Sequence, residues 1–164
     1  MNPLMPFAIR SATLADVPAI LAIERQSASA AHWSQHEYEK LVKCGAVWIA
    51  EPAIAEQGTE PSTKLCGFVC VKVVTAEVEI ENIVVATEFL RQGIADRLLH
   101  VLIRQARILA TSTILLEVRE SNLAARRLYE KHGFLESGRR PKYYNNPCED
   151  AILYALRFES PKQR

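Results

Sequence analysis

Apolar positions change period several times along the chain, and each change predicts an element. "FAIR" (7–10) reads as a first strand. Val17, Ile20, Leu21 and Glu24 then fall at helical spacing, with Thr13 and Asp16 competing to cap the helix. Pro18 favours a start near Asp16, because a proline in the first turn removes no intrahelical bond. "SQHEYEKLV" predicts a second helix, capped by Ser34 and ending near Gly45, and "AVWIAE" a strand after it. "KLCGFVCVKVV" and "EVEIENIVV" are rich in β-branched residues, the second alternating at Val78 and Ile80, and predict a central antiparallel meander.

The period lengthens in "FLRQGIADRLLHVLIRQARIL", where Ile94, Leu98, Leu99, Leu102, Ile103, Ala106 and Leu109 mark one wide helical face. "TILLEVRESN" (113–122) returns to a strand, and "NLAARRLYEKHGF" to a helix stopped by Gly133. Strands are expected around Leu135–Arg139 and Ala151–Phe158. The order is α+β, with a strand, helix, strand, helix run in its second half. Between Pro52 and Thr63 the residues turn to Pro, Gly, Ser, Thr and Glu, a solvated loop between strands and not a domain boundary. A single domain over 1–164 is expected, with flexible tails at 1–6 and 159–164.

Composition narrows the function classes. The 20 basic and 19 acidic residues leave a formal charge of +1, so no global field recruits nucleic acid or a membrane surface. Apolar runs fall far short of the roughly 20 residues of a bilayer span. "MNPLMPFAIR" has no leader-like core and reads as a short tail running into a strand, so the cytosol is the expected location. Cysteines 44, 66, 70 and 148 lack zinc-site spacing and read as reduced thiols, with no metal expected.

Two features carry chemistry. "RQGIAD" (91–96) sits between a strand and the head of the long helix, where a glycine turns the backbone tightly and aims N–H groups outward; such a turn can cradle a pyrophosphate, or simply start a helix. Glu117 lies in the middle of an aliphatic strand, where an ionised carboxylate is costly to bury alone. Either it pairs, with Arg119 or with an arginine of a neighbouring strand, or it works.

Arg91, Gln92, Gly93, Ile94 and Ala95 resemble the acetyl-CoA loop of the GCN-five-related N-acetyltransferases, in a frame running from Leu90 or Arg91 to Ala95. Asp96 stands where that family usually has a basic or small residue. "SNLAARRLYEKHGF" resembles the family's later motif through Asn122, Ala125, Leu128, Tyr129, Gly133 and Phe134. "WSQHEYEK", "LLEVRESN" and "RRPKYYNNPCEDAILYAL" are similar to the bacterial RimI-like branch, which acetylates the N-terminal alanine of a small-subunit ribosomal protein. The resemblance implies a mixed, mostly antiparallel sheet of six to seven strands flanked by about four helices. It also implies acetyl-CoA as cosubstrate and a protein N-terminus as acceptor.

Site residues follow from the same resemblance. Glu117 is the expected general base and Tyr129, twelve positions on, the general acid. Ile83, Val84 and Val85 are expected to hold the acetyl and pantetheine groups through backbone, the loop from Arg91 to Asp96 the phosphates, and Asn122 another part of CoA. Tyr129 has a plainer reading as a core residue with its hydroxyl at the surface. "RRPKYYNN" reads as a strip touching a peptide or RNA, with Tyr143 or Tyr144 lining a peptide groove, or else as a turn with solvated charges. Arg126 and Arg127 are balanced by Glu120, Glu130 and Glu136, which describes a solvated helix face and no nucleic-acid partner. A monomer or weak dimer is expected. A small amine or lysine side chain as acceptor, and a non-catalytic acetyl-CoA-binding module, are the competing readings.

Overall fold

The computed structural model describes residues 6–27, 30–53 and 64–158. Most of the loop read at 52–63 and the two tails, apart from Pro6, lie outside them. In chain order the elements are β1 (Phe7–Ser11), α1 (Val17–Glu24), α2 (Gln35–Lys43), β2 (Val47–Pro52), β3 (Gly67–Val74), β4 (Glu77–Val85), α3 (Ile94–Ile108), β5 (Thr113–Arg119), α4 (Leu123–Lys131), β6 (Leu135–Asn145) and β7 (Cys148–Arg157). The strands form one seven-stranded sheet in the order β1-β2-β3-β4-β5-β7-β6. With four α-helices among the described residues, this is the α+β architecture expected.

The chain divides into two compact units. The first comprises Met1–Val71 with Asn82–Val101. In it β1 pairs antiparallel with β2, from Phe7↔Pro52 to Ser11↔Trp48, and β2 with β3, from Val47↔Cys70 to Ala50↔Gly67. Both cap candidates are used: Thr13 opens a short 3-10 turn at Leu14–Asp16, and Asp16 occupies the N-cap of α1 with Pro18 in its first turn. α2 begins with a reciprocal box, the Ser34 hydroxyl accepting from the Glu37 N–H at 3.3 Å while the Ser34 N–H donates to the Glu37 carboxylate at 2.7 Å. Ile20, Tyr38, Ile49, Phe68, Leu98 and Leu99 are fully buried here.

The second unit comprises Lys72–Glu81 with Leu102–Arg164. β4 and β5 run parallel from Glu77↔Thr113 to Ile80↔Leu116, while β5 pairs antiparallel with β7 from Thr113↔Arg157 to Arg119↔Ala151. Buried Ile114, Leu116, Ile152 and Tyr154 alternate with the more accessible positions of these strands. The parallel β4–β5 pairing makes the sheet mixed, as expected, because the α3 crossover returns the chain in the same direction.

Two boundaries also differ. β6 extends to Asn145 and β7 begins at Cys148, so "RRPKYYNN" is strand for most of its length and not the solvated turn it resembled. Proline is tolerated there because β6 ends the strand order, and the register shift between Arg140 and Tyr144 absorbs Pro141 and the left-handed Lys142 (φ 52°). Leu109, assigned to the buried stripe of α3, falls beyond the helix end and is 71% exposed.

Candidate active site

In the first unit the candidate cofactor cradle is made of backbone. β4 continues past Ile80 to Val85, and the Ala86 N–H that follows donates to the Cys66 carbonyl at 2.9 Å. Val84 is buried, with Ile83 and Val85 partly accessible. Arg91 and Gly93 both adopt left-handed backbone (φ 61° and 78°), which reverses the chain just before α3. A Cβ placed on Gly93 would meet nothing within 4 Å, so the approach to this turn is open. Ile94 is buried and anchors the head of the helix, and the Arg97 N–H closes the first α3 bond onto the Gly93 carbonyl at 3.1 Å. N–H groups before it lie at the positive end of the helix, where phosphate oxygens are favoured. Asp96 occupies the same first turn, a position that the helix dipole favours for an acid.

Sequence reasoning passed over one residue of this cradle. Gly67 opens β3, and a Cβ on it would stand 2.7 Å from the Val84 carbonyl oxygen, 3.2 Å from the Val85 Cα and 3.3 Å from Ile94 Cγ2. Only glycine permits that approach. The available signal was a lone glycine inside "LCGFV", which marks close backbone contact in a strand. Cys66 beside it is buried, and burial pushes its thiol up to about 11, so it is a packing residue rather than a nucleophile. Among the described residues no group of three His, Cys, Asp or Glu side chains could hold a metal ion.

The second unit holds the side-chain chemistry. Glu117 sits mid-strand on β5, opposite Leu153 of β7, with its side chain 17% exposed. Its Oε1 accepts from the Arg140 Nε at 2.7 Å. The partner is thus an arginine of another strand. Arg119 instead donates to the Glu149 carboxylate at 2.9 Å and lies 4.1 Å from the centre of the Tyr144 ring. The register explains the reach, since Arg119 of β5 and Arg140 of β6 both pair with Ala151 of β7, whose short side chain leaves the face above it clear.

Other groups converge on the same carboxylate. The Tyr143 hydroxyl hydrogen-bonds Glu117, which raises the tyrosine's pKa, and the Arg140 guanidinium stands 5.5 Å from the Tyr143 ring centre. Tyr143 and Tyr144 meet edge to face at 5.1 Å. Alternation along β4 and the Glu79↔Leu115 register put Glu79 and Glu81 on the sheet face that carries Glu117. Burial, then Glu79 and Glu117, raise the Glu81 pKa, while Lys72 opposes the rise. This face therefore favours a cation.

Tyr129, on α4, is 4% exposed, its ring 5.7 Å from Phe134 and 6.2 Å from Tyr154. Burial raises its phenol well above the ordinary value, so it holds its proton throughout the neutral range. Tyr144 interacts electrostatically with both Glu117 and Tyr129. Asn122 is the N-cap of α4, its Oδ1 accepting the Ala125 N–H at 3.2 Å. Arg126 donates to the Tyr154 hydroxyl at 3.2 Å and pairs with Glu136 at 3.8 Å, consistent with a helix face occupied by its own neighbours.

Residues 18–134 match the model of the acetyltransferase (GNAT) family, and the chain belongs to that family. It is an N-acetyltransferase by class. More narrowly, it is 37% identical over 150 residues to the ribosomal protein bS18-alanine N-acetyltransferase of Escherichia coli (strain K12), an alignment covering 90% of this chain and 95% of that protein. The crystal structure of the ribosomal-protein-S18-alanine N-acetyltransferase from Escherichia coli superposes with a TM-score of 0.80 at 30% identity, covering 97% of this chain and 99% of that one. Arabidopsis thaliana NAA60 in complex with acetyl-CoA shares the fold, with a TM-score of 0.82 at 21% identity over 93% of this chain and 98% of that one. Among the described residues no helix is long and apolar enough to cross a membrane.

Proposed function

We propose that this protein transfers the acetyl group of acetyl-CoA to the N-terminal α-amine of a protein, with an alanine-initiated ribosomal protein as its acceptor. The single observation that carries the reading is Glu117, a carboxylate held mid-strand on an electronegative face beside two tyrosines. The likeness to the Escherichia coli bS18-alanine enzyme over nearly the whole chain supports the choice of acceptor.

Acetyl-CoA supplies the activated acyl group as a thioester. The open turn at Gly93 and the first N–H groups of α3 suit its phosphates, Arg91 and Gln92 flank them, and Ile94 and Ala95 shape the turn. Backbone groups of Ile83, Val84 and Val85 hold the acyl end and polarise its carbonyl, and Asn122 contacts CoA. An α-ammonium has a pKa of roughly 8 and arrives mostly protonated. Glu117 takes one proton from it, directly or through water, and frees the lone pair for attack on the acyl carbon. The C–S bond breaks as the C–N bond forms, the departing sulfur takes the Tyr129 proton, the second proton lost by the amine nitrogen restores Tyr129, and Glu117 gives the first to solvent. The net change is one amide and one thiol formed, with one proton released.

Mass spectrometry of short peptides differing in their first residue, incubated with the protein and acetyl-CoA, tests the reading. Lysine-bearing, N-blocked and small-amine substrates run alongside. The expected result is acetylation of the α-amine, strongest for an alanine-initiated ribosomal sequence. Acetyl groups landing on lysine or on small amines alone would replace the acceptor. Binding of acetyl-CoA with no turnover of any acceptor would overturn the enzyme reading at this site.

A further inference from the structure

Resting on Glu117 as the base, we propose that Arg140 is a resident counter-ion that occupies the position of the substrate ammonium and must leave before the amine can bind. It is a positioning residue, since it touches the base and not the reacting atoms. The geometry has three parts. The Arg140 Nε donates to Glu117 Oε1 at 2.7 Å, so the base in the free protein is already engaged by a cation. Arg140 is 56% exposed on a strand that ends the sheet order, next to the left-handed Lys142 and a register shift, and has room to swing away. The 5.5 Å stack on Tyr143 gives the guanidinium a second contact beside the same carboxylate.

The charged and titratable groups around Glu117 fit an exchange of one cation for another. Glu79, Glu81 and Glu117 give it negative charge, and Lys72 and Arg119 offset part of that. Tyr143 hydrogen-bonds the carboxylate, and Tyr144 feels its charge. Arg119 is committed to Glu149, which leaves Arg140 as the cation facing the base. An incoming α-ammonium displaces the guanidinium from Glu117, forms the same kind of ion pair and then gives up its proton. Once protonated, Glu117 no longer attracts Arg140, so the guanidinium stays away until the acetylated product, now neutral, departs and the base is again an anion. The exchange selects cationic amines and disfavours neutral ligands, which gain nothing for moving the arginine.

Steady-state kinetics of Arg140→Gln and Arg140→Lys test this with an alanine-initiated peptide, its acetylated product as inhibitor, and acetyl-CoA. A partly exposed ion pair is worth enough to change an affinity about 2- to 5-fold. Arg140→Gln is expected to lower the peptide KM by that factor, and the inhibition constant of the neutral product with it, since both must displace the guanidinium, leaving the KM for acetyl-CoA as it was. Arg140→Lys restores the higher peptide KM. In a Glu117→Gln background, where no anion holds the arginine, Arg140→Gln leaves the peptide Kd unchanged. An unchanged or raised peptide KM in Arg140→Gln overturns the proposal, and so does a gain in peptide affinity that persists in the Glu117→Gln background, which would mark a change of groove shape. Failure of the base assignment reads separately: it is a Glu117→Gln protein that keeps its kcat, whatever Arg140 does.

Discussion

The turn ahead of α3 and the β5–β6 face solve opposite problems with opposite means. At the turn the useful groups are main-chain N–H and C=O, so what matters is where the backbone can go: Arg91 and Gly93 are left-handed, and Gly67 is small because a Cβ there would stand only 2.7 Å from the Val84 carbonyl oxygen. On the β5–β6 face the backbone is ordinary ladder and the proposed chemistry lies in charge. Glu117, Arg140, Tyr143 and Tyr144 meet through their ionisable ends. One region is broken by adding atoms and the other by removing charge.

That contrast sets the largest expected effects on the charged face. Glu117→Gln keeps shape and volume but cannot accept the ammonium proton, and a lost general base lowers kcat by roughly 10²- to 10⁴-fold. Its acetyl-CoA dissociation constant should stay within about twofold of wild type, since the cradle is made of backbone. Tyr129→Phe should also lower kcat, at the small end of that range, roughly 10²-fold. Tyr129 is 4% exposed, so its thermal midpoint has to be read beside its rate. A Phe variant with native Tm and native kcat removes Tyr129 from the chemistry.

Smaller effects belong to the backbone cradle, where two glycines separate space from torsion. Gly67→Ala forces a methyl group to 2.7 Å from the Val84 oxygen, and because the neighbours are main chain they must shift. Overpacking of this kind costs about 1–3 kcal/mol, and displacing Val84, Val85 and Ile94 together should raise the acetyl-CoA KM about tenfold. Gly93→Ala meets no atom but must hold φ near 78°, a strain of about 1–2 kcal/mol. Paired measurements of Tm and acetyl-CoA KM sharpen the comparison. If the two substitutions act alike, steric closeness at Gly67 is not what shapes the cradle.

Much of this was readable in the sequence because it is local. The cap at Ser34, the proline in the first turn of α1, the nine residues of β4 and the glycine after α4 follow from short-range rules that tertiary context did not override. Glu117 was readable for the same reason, a charge out of place in an apolar strand. Its partner was not, because Arg140 reaches it across β7 past Ala151, and the full length of β6 depends on a bulge that takes up Pro141. Nor was the parallel β4–β5 pairing, which depends on where α3 returns the chain and not on either strand's own residues. Gly67 carried a signal, but its consequence depends on a carbonyl seventeen positions later in the chain, at Val84.

The smallest effect isolates an ion pair whose bonded partners lie outside the chemistry. In the first unit Arg10 holds Asp16 through two bonds of 2.9 and 3.0 Å and reaches Glu51 as well, while the Thr13 N–H and hydroxyl donate to the same Asp16 oxygen at 2.7 and 2.9 Å. The Arg10 hydrogen bonds, opposed by burial and helped by Thr13, lower the Asp16 pKa from 3.8 to about 2. A carboxyl depressed in the folded state binds its proton more readily when unfolded, so its stabilisation is fully present above pH 3.8 and is lost as pH falls towards 2. Because Arg10 is 40% exposed, solvent screening reduces the contribution to about 1 kcal/mol. Asp16→Asn should therefore lower the thermal midpoint at neutral pH by about 2–4 °C and flatten the loss of stability between about pH 4 and pH 2, with both KM values unchanged. An unaltered acid slope in Asp16→Asn would mean that Glu51 takes over the Arg10 charge. A changed peptide KM would instead connect this end of α1 to the acceptor, which nothing in its bonded partners provides for.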